Sequence, residues 1–278
     1  MMPDALRKFV AGGVLAAGAV LLAGSVGAAA EASSPQRPLR DSTQMIVVTT
    51  ADWNAVNGGL QRYQRSRPGG RWKRVGESVA IVGGKNGMGG GAGLLPTDGG
   101  AVRAADDPVK HEGDGKSPAG AFRISTGFGY AAAPPAAWKL SYIRLTPGIE
   151  CVDDAASRYY NQVVDRATVT PDWNSSEHMA STGEYYRWGA VVDHNVNPAL
   201  PGGGSCVFMH IWGGAGMGTA GCTAMAQGAL EPILAWLDPA AKPVLVQLPV
   251  AQYARLKKAW KLPKLPRNAI LLTLAGRN

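Results

Sequence analysis

The sequence predicts a mainly β fold. Short runs rich in β-branched and aromatic residues recur along the chain, among them GAFRIS, YIRLT, YNQVVD, YRWGAVVDHN, CVFMHIW and KPVLVQLP. Gly, Pro, Asn and Asp separate these runs, as turn chemistry requires. Helical patterns are few, the best being ALEPILAWLD and, near the C-terminus, VAQYARLKKAWK. Strands without regular strand-helix alternation argue against a doubly wound sheet.

In chain order, residues 1–30 read as a cleavable signal peptide: Arg7 and Lys8 precede a long apolar run from Phe9, and Ala28, Ala29 and Ala30 supply the small residues of a cleavage site. The alternative, an uncleaved anchor, lacks a basic stop-transfer flank. An exported protein with no stable membrane span after cleavage is therefore expected, outside the cytoplasmic membrane. What remains is about 245 residues, the length of one large domain with a real core. The formal net charge of +8 is scattered rather than gathered into a basic arm. That balance suits an anionic envelope surface better than nucleic acid, and a generic solvated surface accounts for it equally well.

SSPQRPLRDSTQ is polar and aperiodic, as a linker is. MIVVTT predicts a strand, ADWNAVNGGLQRYQRS a short helix broken at Gly58 and Gly59, and RWKRVGESVAIVGG a return to strand. KNGMGGGAGLLPTDGG lacks the Gly-Lys-Ser/Thr ending of a phosphate loop, so it is read as a plain glycine-rich loop. The expected organisation is a linker with a short strand and helix over 31–78, a main domain over 79–249 and a helical extension over 250–278.

The stretch SCVFMHIWGGAGMGTAGCTAM concentrates the chemistry. A strand delivers His210, five glycines give the following loop freedom to double back, and Cys222 ends the loop where helical character is expected to begin. A thiol near unpaired backbone N–H groups, with an imidazole as proton acceptor, has the minimum parts for acyl transfer through a thioester. The bland alternatives are a satisfied core histidine and an inert buried cysteine. Three cysteines in an exported chain leave one thiol over. Cys206, on the same expected strand as His210, is assigned to pair with Cys151 and brace the site. Cys222 is then free.

His210, a Gly-rich loop and Thr219-Ala220-Gly221-Cys222 are similar to the His…[Ser/Thr]-x-Gly-Cys signature of the L,D-transpeptidase (YkuD-type) catalytic-domain family. EGDGKSPAGAFRI resembles that family's Thr/Ser-Pro-x-Gly-x-Phe segment, and CVDDAASRYYNQVVD, YRWGAVVDHNVNP and GSCVFMHIW resemble further blocks, in order, from about Val79 to Pro249. Two features depart from the family pattern. Ala224 stands where many members carry Arg, which leaves open the group that grips the substrate carboxylate, and the His-to-Cys spacing is short.

The resemblance implies a catalytic-domain-like β-sandwich with mixed sheets and a few short helices. It also implies a reaction on peptidoglycan stem peptides. Cys222 would attack the carbonyl of the third stem residue and expel D-alanine. The acyl group would then pass to an amine acceptor: a second stem peptide, a D-amino acid or a protein lysine. His210 would move the proton, the N–H of Cys222 and of a neighbour such as Gly221 would hold the oxyanion, and Thr219 would position the loop or the substrate. No cofactor is implied.

Ser117 and Pro118 read as a turn with Gly120, Lys116 as a solvated lysine, and His194 as structural, while Asp193 or Asn195 could support the site from a neighbouring strand. His111, Glu112, Asp114, His178 and His194 lack zinc-ligand spacing, so no metal site is expected. The rival functions are hydrolysis by the same nucleophile, as an L,D-carboxypeptidase or amidase, and non-catalytic peptidoglycan binding.

Overall fold

The computed structural model describes residues 37–95 and 104–275, and the signal peptide expected over 1–30 lies outside them. A five-residue helix, α1 (Arg37–Asp41), leads into β1 (Gln44–Thr50), every residue of which is buried. Its polar members are satisfied: Gln44 donates to the Trp236 carbonyl at 2.7 Å, and the Thr49 and Thr273 hydroxyls lie 2.7 Å apart.

The next segment is not the expected broken helix but a strand, β2 (Asn57–Gln64). The reason is close approach: a Cβ on Gly58 would sit 2.5 Å from the Thr49 carbonyl oxygen, and one on Gly59 would sit 2.6 Å from that of Ala269. The glycines that look like helix breakers let neighbouring backbone pack against a strand. Then follow β3 (Lys73–Val82), the short β4 (Met88–Gly90) and the long β5 (Ser117–Gly129). After these come β6 (Ser141–Arg144), β7 (Ile149–Val152), β8 (Val163–Asp165), β9 (Ser176–His178), β10 (Trp188–Val192), β11 (Phe208–Ile211) and β12 (Thr223–Met225). Helix α2 (Gln227–Trp236), β13 (Val244–Pro249), α3 (Val250–Leu256) and α4 (Arg267–Leu274) complete the described chain. In α2 the buried residues Leu230, Ile233 and Leu234 recur at helical spacing, which fixes the face it packs on the core.

The strands close on themselves. The ring runs β5, β10, β11, β12, β3, β2, β1 and β13, and returns to β5. Most pairs are antiparallel, but β1–β13 and β11–β12 are parallel. The molecule is mainly β, as expected, but its centre is an eight-strand closed barrel rather than a sandwich. Closure depends on β5, whose 13 residues serve two neighbours in succession: Gly120–Arg123 pair with β13 and Ile124–Gly129 with β10. A closed ring removes the exposed edges that two separate sheets would have to protect.

Strands β1 and β2 belong to this ring, so the barrel begins well before the boundary drawn at residue 79. Tyr253, Leu256, Trp260 and Leu262, in the segment expected as a helical extension, are buried in the same core.

Strands β7, β8 and β9 form a separate three-stranded sheet with β7 in the middle. Its hub is Glu150, 1% exposed, whose carboxylate accepts from Arg166 at 3.1 Å, Trp173 at 2.9 Å and Ser176 at 2.7 Å. Burial pushes this carboxyl's pKa up, but those hydrogen bonds outweigh it and hold the group below the usual range.

A disulfide between Cys151 of β7 and Cys206, just before β11, ties this sheet to the barrel, and Cys222 is the free cysteine. A disulfide is compatible with an oxidising compartment. Among the described residues no helix is long and apolar enough to cross a membrane. The bridged residues are 55 apart in sequence. Chain entropy therefore predicts that Cys151→Ser lowers stability by about 4 kcal/mol. Urea unfolding of the oxidised protein and the variant measures this, and non-reducing peptide mapping should recover the bridged pair with Cys222 unlinked.

Candidate functional site

His210 and Cys222 come together through strand register. β11 and β12 are parallel neighbours, with Met209 opposite Thr223 and His210 opposite Ala224. Continuing that register places Cys222 beside Phe208, and the Phe208 N–H reaches the Cys222 sulfur at 3.3 Å. Side chains alternate along a strand, so His210, two residues beyond Phe208, shares its face. Met209 and Ile211 point the other way, into the main core, whereas Phe208 and Cys222 join a smaller cluster with Phe128, Met179 and Tyr186.

Consecutive parallel strands need a crossover, usually a helix. Here residues 212–222 make it as a loop, which explains the glycines. Gly216 holds φ at +81°, and a Cβ on Gly218 would fall 2.6 Å from the Lys85 Cα. Backbone bonds clamp the loop to the turn after β3: the Thr219 N–H donates to the Gly83 carbonyl at 2.9 Å, and the Lys85 N–H to the Thr219 carbonyl at 2.8 Å.

The backbone of Cys222 is held by two hydroxyls. The Cys222 carbonyl accepts from Thr219 Oγ1 at 2.7 Å and from Ser117 Oγ at 3.1 Å. Ser117 in turn accepts from the Gly84 N–H at 2.8 Å. Thr219 Oγ1 also accepts the Gly221 N–H at 3.1 Å. The Gly221 N–H, expected to face an oxyanion, is therefore committed to Thr219. The residue after Cys222 opens strand β12 and the helix starts only at Gln227, so the backbone donor on the sulfur comes from β11 and not from a helix terminus.

A cleft of about 420 Å³ exposes these groups, lined by His210, Cys222, Thr219, Gly221, Tyr186 and Glu177 among others. The Nδ1 of His210 lies 2.8 Å from the Ile211 carbonyl oxygen. That oxygen only accepts, so Nδ1 carries the proton and Nε2 keeps its lone pair. Burial lowers the imidazole pKa to about 4, with the Ile211 carbonyl partly opposing it. The Cys222 thiol is pushed up to about 12, first by burial and then by the charge of Glu177. At neutral pH both groups are uncharged.

Tyr186 opens the block YRWGAVVDHNVNP, and although nothing in the sequence marks its role, it organises this corner. Its ring meets that of His210 with centroids 5.2 Å apart, and burial, with Cys222 and Glu177 close by, raises the pKa of its hydroxyl well above the usual phenol value. Glu177, on β9, arrives opposite Cys151 in the β7–β9 pair, so the strand it pairs with is the one the disulfide ties to the barrel. Burial and the charge of Asp153 raise the Glu177 pKa.

Other candidates lie elsewhere. Lys116 donates to the Asn86 carbonyl at 2.9 Å. Asp193 accepts from Ser125 at 2.7 Å, and Asn195 donates to the carbonyls of Leu200 and Gly204. His194, 1% exposed, has carbonyl oxygens of Ala92 and Gly203 at its two ring nitrogens.

A thiol and a neutral imidazole with a free lone pair, facing one cleft, can attack an acyl carbon and shuttle the displaced proton. No family model, curated protein or solved structure matches the chain.

Proposed function

We propose that this protein is an exported cysteine L,D-transpeptidase acting on peptidoglycan stem peptides. The observation that carries the reading is the shared face of β11 and β12, which brings Cys222 and an oriented His210 into one cleft. The resemblance of the surrounding sequence blocks to the L,D-transpeptidase catalytic domain supplies the substrate class.

In this reading, His210 Nε2 takes the thiol proton as Cys222 Sγ bonds to the carbonyl carbon of the third stem residue. The bond to the D-alanine nitrogen breaks, and the imidazolium returns the proton to that leaving amine. An acceptor amine then attacks the thioester, gives a proton to His210, and releases the sulfur, which regains it. The resemblance assigns the oxyanion to the Cys222 N–H. With the Gly221 N–H held by Thr219, the loop is set before substrate arrives.

The resting state distinguishes this mechanism from one with a preformed thiolate-imidazolium pair. His210 is deprotonated above about pH 4 and the Cys222 thiol stays protonated until about pH 12. The neutral pair therefore persists between those limits. At pH 7 iodoacetamide should label Cys222 at least about a hundredfold more slowly than a cysteine of ordinary pKa, and labelling should keep rising beyond pH 9. A plateau already reached at neutral pH would instead mark a preformed ion pair.

The function itself is tested by incubating the protein with tetrapeptide muropeptides, with and without an amine acceptor, and weighing the products. Transfer products with acceptor present support the reading. Hydrolysis alone would favour the carboxypeptidase alternative.

A further inference from the structure

Among the described residues lining the cleft, Lys110 is the one lysine or arginine. Its side chain is 4% exposed, an unusual position for an ammonium, which is costly to bury unless paired. Its Nζ donates to Asp114 Oδ1 at 2.6 Å and to the His111 carbonyl at 2.6 Å. Asp114 is pinned in turn by the N–H groups of His111 at 2.8 Å and Lys116 at 2.9 Å. The ammonium therefore cannot swing away. It has three donors, and two are committed.

The lysine stem sits against the nucleophile loop. A Cβ on Gly221 would lie 3.9 Å from Lys110 Cε, and one on Gly204 would lie 3.0 Å from it. Glycine at 204 leaves room for the lysine, and Gly221, the residue before Cys222, stands at ordinary contact distance from it. The other charged residues lining the cleft, Glu112, Asp153 and Glu177, are carboxylates. An anionic group entering the cleft meets repulsion from them and one fixed cation.

Resting on the transpeptidase reading, we infer that Lys110 is a specificity-determining residue that receives a carboxylate of the acyl donor through its uncommitted N–H. The carboxylate has two chemical sources, the C-terminus of the leaving residue and the side chain of the third stem residue. In either case Lys110 sets the direction in which the donor lies across Cys222, with its anionic group at the Lys110 side.

The test compares three donors on the full-length mature protein: the free tetrapeptide stem, its C-terminal amide and its third-residue side-chain amide. The rate of acyl-enzyme formation is read by intact mass. We expect one of the amides to acylate at least about tenfold more slowly than the free acid, since a hydrogen bond between charged partners is lost, and which amide is slow names the source. The double variant Lys110→Gln with Asp114→Asn removes both charges of the buried pair while keeping hydrogen-bonding groups, and thermal unfolding checks that it folds. In it the free acid should slow to the rate of the amide, so that discrimination disappears. Equal rates for all three donors on the unmodified protein would overturn the inference, as would discrimination that persists in the folded double variant. Should no donor acylate Cys222 at all, the transpeptidase reading itself falls, an outcome distinct from acylation without discrimination.

Discussion

Cys222→Ser should abolish both covalent capture of a stem peptide and release of D-alanine, while leaving the fold intact. Serine keeps the size and a hydrogen-bonding group, so the Phe208 N–H, which reaches the sulfur at 3.3 Å, retains an acceptor. The reactivity does not survive. Burial already holds the thiol protonated to about pH 12, and a hydroxyl is far less acidic still. A neutral imidazole whose pKa burial has lowered to about 4 is too weak a base to draw a proton from serine at a useful rate. The resemblance implies that carbapenems acylate the same atom, so their adduct should appear on the Cys222 peptide and vanish in the variant. Residual D-alanine release by the serine variant would place the nucleophile elsewhere.

His210→Ala should cut the acylation rate by about a hundredfold or more, the usual worth of a positioned base. The ring is 8% exposed and packs on Tyr186, so some stability is lost as well, about 1–3 kcal/mol for a buried side chain and its bond to the Ile211 carbonyl. The pH profile separates the two effects. In the unmodified protein acylation falls as pH drops through about 4, where the imidazole takes up a proton and ceases to accept one. The alanine variant, folded but lacking that group, should show a low rate without this limb. Retention of the limb would assign the titration to another residue.

Much of the site was legible because its parts are local. The strand before His210, the glycines after it and the free cysteine all lie within one stretch, and the odd cysteine count fits the Cys151–Cys206 bridge. The closed barrel was not legible. Closure depends on one long strand changing partners between Arg123 and Ile124, and no local pattern encodes a choice between distant edges. Gly58 and Gly59 misled for a related reason, since their small size answers to Thr49 and to Ala269 of a distant helix. Tyr186 opens the block YRWGAVVDHNVNP and Glu177 lies in no such block, yet neither segment shows in sequence that it meets Cys222, and only the register of β9 and the disulfide bring Glu177 there. Lys110 reads as any surface lysine until the fold encloses it. Ser117 and Pro118 read as a turn, but they open strand β5 beside Met88 and Gly89, and the bond from Ser117 to the Cys222 carbonyl spans 105 residues and needs the assembled barrel.

The central claim is that Cys222 becomes acylated by a stem peptide with loss of D-alanine. The most direct measurement is rapid acid quenching of the mature protein mixed with a tetrapeptide stem in the absence of any amine acceptor, followed by intact-mass and peptide mass analysis. The account predicts a species heavier by the tetrapeptide minus D-alanine, with the added mass on the peptide carrying Cys222. It should disappear when an amine acceptor is supplied, as the cross-linked product forms. A protein that binds the stem but shows no covalent species at any quench time, and releases no D-alanine, would contradict it.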